Sequence, residues 1–171
     1  MARYADPGAM EWVESGGGPL IAVPETVLAF WAGADGEDLA TDYDRACEVD
    51  RYVGLLPVGD SAALVLGDEP ASTAFLPDHG TFVRWCAANS EDELLAGVPD
   101  ALGTAVWEDE VSWDVPGPVV LFDSAWPGDK TDRTERLHVP LEPGRYAVRA
   151  GRAQPGPETW LGLVQLRRLP N

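Results

Sequence analysis

The chain has 171 residues, enough for one domain or at most two small ones. Hydrophobic residues make up 45% and charged residues 24%, which excludes disorder and collagen, while 18 Gly and 15 Pro call for many turns. Twelve basic residues against 29 acidic ones leave a net charge of −17, which repels phosphate backbones and anionic lipid and so argues against direct nucleic-acid or membrane-surface partners.

The charge is uneven. Residues 1–128 carry 4 Arg, no Lys and 24 acids, whereas residues 129–171 carry 8 basic and 5 acidic residues. One face is therefore expected to meet a cationic partner, although the same acids would also serve as a solubilising surface. The two cysteines, Cys47 and Cys86, stand too far apart for a metal motif and read as buried free thiols of a reducing compartment. Neither a signal-peptide core nor a membrane-length apolar run occurs. These features lead to the expectation of a soluble cytoplasmic protein.

Residues 1–10 lack periodicity and read as a flexible N-terminus, with Met10 a second candidate start; residues 11–171 read as a single domain. Ser15–Pro19 is a turn before a buried strand, Leu20–Val23. Pro24 suits the first turn of a helix, in which Val27, Leu28 and Trp31 form an apolar stripe closed by Gly33. The second half of the acid-rich stretch 34–51 reads as a helix, with Leu39, Tyr43, Ala46 and Cys47 on one face and carboxylates on the other. Runs 53–58, 62–66 and 72–76 read as an antiparallel meander, with 81–87 a fourth strand. Ser90 and Glu93 form a capping box opening a helix that ends near Leu102-Gly103. From residue 104 the pattern is of strands: 106–113, 119–122, 137–141, 146–150 and 160–166, with a tight turn at Glu142–Arg145. The expected fold is α+β, a largely antiparallel sheet or sheets with two or three short helices. It divides into an α+β part over about 11–103 and a β-rich part over about 104–168.

Chemistry-bearing motifs are scarce. His79 lies in a turn and His138 in an expected strand, and no Gly-x-Ser-x-Gly elbow accompanies either. Gly16-Gly17-Gly18 precedes a strand and lacks the Lys-Ser/Thr of a phosphate loop. Asp123 and Glu158, each near a Trp, make the best glycosidase-like pair, but in a chain with 29 acids such proximity arises by chance. No Cys/His spacing suits zinc, and no acidic run completes a calcium loop. No catalytic residue, metal site or cofactor is expected.

Two features remain as candidate partner-binding elements. Asp35, Glu37, Asp38, Asp42, Asp44, Glu48 and Asp50 crowd seven carboxylates into sixteen positions. Trp126, in the loop Ser124–Lys130, is the tryptophan of the seven that composition puts outside the core. The plainer readings are a solvated face and a lid over the core.

The opening Trp12-Val13-Glu14-Ser15-Gly16-Gly17-Gly18-Pro19-Leu20-Ile21-Ala22-Val23-Pro24, leading to Trp31-Ala32-Gly33, resembles the Immunity protein 21 family of bacterial polymorphic toxin systems. Tyr43–Cys47, Gly67–Ala71, Thr73–Pro77, Phe82–Trp85, Tyr146–Ala150 and Trp160–Gly162 look like the same family, so the resemblance spans about residues 11–168. It implies a non-enzymatic cytoplasmic antidote that binds a cognate toxin, a nuclease being one possibility, and it carries no catalytic residues onto this chain. An acidic inhibitor facing a basic toxin cleft agrees with the charge. The alternative is a β-rich carbohydrate- or small-ligand-binding module using loop tryptophans.

Overall fold

The computed structural model describes residues 10–36, 39–67, 70–133 and 135–171. It is an α+β fold built on two antiparallel sheets. The first has strand order β2-β3-β1-β8-β9, from Val53–Val58, Ser61–Leu66, Leu20–Pro24, Val119–Asp123 and Arg136–Val139. The second has order β4-β5-β11-β10-β6, from Thr73–Leu76, Thr81–Ala87, Thr159–Arg168, Gly144–Gly156 and Val106–Trp107, with β7 (Val111–Val115) also on β10. Each sheet draws strands from both halves of the chain.

The sheets stack face to face over the main core. Leu20, Ala22, Leu64, Leu66, Val119 and Leu121 from the first meet Phe82, Trp113, Val148, Val164 and Leu166 from the second. The buried Trp113 indole donates to the Ala62 carbonyl across the layers at 2.8 Å, which satisfies its one polar group. The outer faces are covered too. Ile21, Val23, Val65, Val120 and Phe122 lie beneath Val27, Trp31 and Ala46. On the other side Ala74, Val83, Leu161 and Leu163 lie beneath Leu94, Val98 and Ala101. The result is four layers, helical cover–sheet–sheet–helical cover. It explains why β1 and β8 are apolar at consecutive positions: both faces of each are covered.

Short helices make the covers. A 3₁₀ turn over Glu25–Phe30 and helix α1 (Asp42–Cys47) lie on the first sheet, and α2 (Glu91–Ala96) and α3 (Val98–Thr104) on the second. The helix expected from Pro24 is thus a 3₁₀ turn, and Gly33 does not close it; Trp31 does, in extended conformation. The helix expected through residue 102 is divided at Gly97, which sits against Pro155. Ser90 does cap α2, its hydroxyl accepting from the Glu93 amide at 3.1 Å. The Glu93 carboxylate, however, accepts from the Thr159 hydroxyl at 2.9 Å and so ties α2 to β11.

The expected three-strand meander is corrected. β2 and β3 form a hairpin in the first sheet, whereas β4 pairs with β5 in the second. The expected strand 106–113 is likewise two strands, β6 and β7, on one edge of β10. Met10, expected in a flexible terminus, packs with Trp12 against the α2–α3 cover, and Val13 bridges Thr73. Both cysteines are free, as expected, but exposed rather than buried.

Candidate functional site

Asp123, at the end of β8, organises the region around Trp126. One of its carboxylate oxygens accepts from the Ala125 amide at 3.0 Å, and the other from the Gly16 amide at 2.8 Å. The Trp126 amide donates to the Asp123 carbonyl at 3.0 Å, which completes a tight turn. The suggested acid therefore builds a loop. Glu158 lies in the β10–β11 turn of the other sheet and accepts from the Asn89 side chain at 2.6 Å. The structure does not bring the two together as a carboxylate pair.

The Trp126 turn is bound to the segment that leads into the acidic stretch. The Ala34 amide donates to the Ala125 carbonyl at 3.0 Å, and the Tyr43 amide to the Gly33 carbonyl, also at 3.0 Å. Gly33 has φ +61°, and a Cβ there would fall 2.5 Å from the Ala125 carbonyl oxygen. Only glycine allows this approach. Beneath it, buried Trp31 donates its indole N–H to the Ser124 carbonyl at 3.0 Å. The two features singled out in the sequence, Trp126 and the acids after Asp35, thus meet at one joint.

The acids of that stretch have separate tasks. Asp42 accepts from the Ala32 amide at 2.9 Å and pairs with Arg45 at 2.7 Å; the Arg45 guanidinium in turn lies 5.9 Å from the centroid of the Trp31 ring. Asp44 and Thr41 form a reciprocal cap on α1. The Thr41 amide donates to the Asp44 carboxylate at 2.9 Å, and the Asp44 amide to the Thr41 hydroxyl at 3.1 Å. The Thr41 backbone hydrogen bond, joined by that to its hydroxyl, holds the Asp44 carboxyl below the ordinary aspartate value. Asp35 pairs with Lys130 at 3.3 Å, an exposed contact of small energetic weight. Glu48 and Asp50 are exposed. Glu37 and Asp38 lie outside the described residues.

The inner face of α1 also differs from expectation. Ala46 is buried, Tyr43 is half-buried over Gly18, Cys47 is exposed, and Leu39 lies before the helix in full contact with solvent. A hydrogen bond with Cys47, aided by burial, raises the Tyr43 hydroxyl above the usual tyrosine value.

Trp126 is 44% exposed, and the 3₁₀ turn on the same cover presents Phe30 at 68%. Together with Leu39 they give the acid-rich cover a set of exposed apolar groups; the other sheet's side shows Val106 and Trp160. Phe30 escaped sequence reasoning, although its position off the Val27–Leu28–Trp31 stripe was the available signal. The remaining tryptophans divide between full burial, at Trp31 and Trp113, and partial burial, at Trp12, Trp85 and Trp107. Among the described residues no group of three or more His, Cys, Asp and Glu could hold a metal ion, and no helix is long and apolar enough to cross a membrane. His79 sits in the Pro77–His79 turn and His138 on β9, 3.6 Å from Glu25.

This is a four-layer α+β protein whose most distinctive surface joins an exposed tryptophan to carboxylates on a cover held by backbone hydrogen bonds. The chain belongs to the Immunity protein 21 family, whose model matches residues 11–159. It is an immunity protein by family, a class that is generally non-enzymatic. A search of curated proteins found no match, and neither did a search of solved structures.

Proposed function

We propose that the protein neutralises a cognate toxin in the cytoplasm by direct binding, and that the contact is made by Trp126 with Asp35, Glu37, Asp38, Asp42, Asp44, Glu48 and Asp50. The observation that carries this reading is Trp126 itself: a large side chain left 44% exposed on a turn fixed by Asp123 and Gly33, next to the acidic stretch. Rigid exposed aromatics are the residues from which interface hot spots are drawn. The carboxylates divide their work. Asp42 and Asp44 shape the surface through their hydrogen bonds, while exposed Glu48 and Asp50 attract an approaching cation.

The partner best matched to this surface is basic, and a nuclease fits because its substrate cleft must itself attract phosphate. Copurification with a cognate toxin domain, followed by protection of cells expressing that domain, tests the reading. Trp126→Ala is expected to speed dissociation, and paired Glu48→Gln and Asp50→Asn to slow association. Failure of the protein to bind or protect would overturn it.

A further inference from the structure

The hairpin between β2 and β3 turns over Gly59 and Asp60, with Val58 paired to Ser61. Gly59 has φ +59°, as the first central residue of such a two-residue turn requires. It presses against the helical cover: a Cβ there would lie 3.0 Å from a Val27 methyl and 3.2 Å from the Phe30 ring. One edge of Phe30 is thereby packed, while 68% of the residue stays in water. Beside it opens a groove of about 730 Å³ lined by Val27, Phe30, Gly59, Asp60, Ser61 and Pro116. Asp60, Ser61 and Pro116 also line a neighbouring groove of about 610 Å³ that continues to Asp114 and Arg145. The two grooves form one trough, apolar at Phe30 and polar at its far end.

The charges along the trough are unequal in availability. Asp114 and Arg145 pair with each other at 3.0 Å. Asp60 is exposed and makes no side-chain hydrogen bond or ion pair among the described residues. The Gly59-Asp60 turn therefore presents an exposed carboxylate next to an exposed aromatic ring. A second copy of this chain, also at −17, would bring repulsion to that carboxylate. The complementary occupant is cationic and carries an apolar side chain nearby.

Resting on the toxin-binding reading, we propose that this trough receives an extended segment of the toxin, which lays an apolar side chain on Phe30 and a lysine or arginine on Asp60. It is a second contact, distinct from Trp126 and the acids of residues 35–50. Because the turn and the ring are already packed together, little ordering is required on binding.

The test measures the affinity of the toxin domain that copurifies with the protein for the intact protein and its variants, with circular dichroism as the folding control. Phe30→Ala is expected to weaken binding about 30-fold, the level of an interface hot spot. Asp60→Lys should weaken it about 10-fold or more through slower association, with Asp60→Asn in between. Trp160→Ala, on the other sheet, should leave affinity within about twofold. If Phe30→Ala disturbs the fold, the exposed Asp60 variants carry the test alone. Wild-type affinity in the Asp60 variants, and in a folded Phe30→Ala, would overturn the trough proposal while leaving toxin binding in place. Absence of binding by the wild-type protein would overturn the toxin reading and the trough with it.

Discussion

An alanine at position 33 would have to adopt a left-handed backbone and bring its Cβ against the Ala125 carbonyl. Gly33→Ala is expected to cost about 1–3 kcal/mol and to shift the Trp126 emission as the turn moves. Chemical denaturation followed by fluorescence reads both effects, and a neutral substitution would mean the joint is looser than its hydrogen bonds imply. Asp44 offers a pH-dependent counterpart. Its carboxyl is held below the ordinary aspartate value by its bonds with Thr41. The stability this contributes is complete above that ordinary value and is lost as pH falls through the depressed folded one. Asp44→Asn keeps an acceptor but removes the titration, so the acid limb of stability is expected to flatten. An unchanged acid limb would show that the cap contributes nothing. These two residues also bear on what the sequence could reveal. The S/T-x-x-E/Q template found Ser90 and Glu93 but passed over Thr41-Asp42-Tyr43-Asp44, where a shorter acid completes the box.

At the scale of elements, Ser90→Ala removes the acceptor for the Glu93 amide and should cost on the order of 1 kcal/mol, seen as a lower denaturation midpoint. No loss would mean that packing on β11 alone sustains α2. The strands were legible because their apolar runs are bounded by glycine and proline, and β1 and β8 were plain because consecutive apolar residues mark a strand covered on both faces. Sheet membership was not legible. The meander failed because the chain leaves the first sheet after Leu66 and enters the second at Thr73, and periodicity carries no information about which neighbour a strand will choose. The inward face of α1 failed for a related reason. The helix spans six residues from Asp42, so Leu39 falls outside it and the projected stripe loses its first member. Of the candidate site, Trp126 and the acids could be singled out from composition. Their meeting through Gly33 and Ala125 depends on a contact across about ninety residues, which no local pattern encodes.

Across the whole molecule, the two sheets depend on each other through one core, in which Trp113 is fully buried and bonded to the opposite sheet. Trp113→Ala is expected to cost about 3–5 kcal/mol, and calorimetry would detect the lowered melting temperature; a change under 1 kcal/mol would contradict the shared core. The same architecture frees one helical cover to carry charge and exposed aromatics without weakening the interior. Whether that cover steers a basic toxin is best decided by stopped-flow association with a copurifying cognate toxin domain, measured against ionic strength. Glu48→Gln with Asp50→Asn is the informative variant, because Asp42 and Asp44 also hold α1 in place. The expected result is an association rate that falls steeply as the Debye length shortens below about 8 Å, and that is lower in the double variant at unchanged melting temperature. A rate indifferent to both salt and substitution would contradict the account and reduce the acidic cover to a solubilising surface.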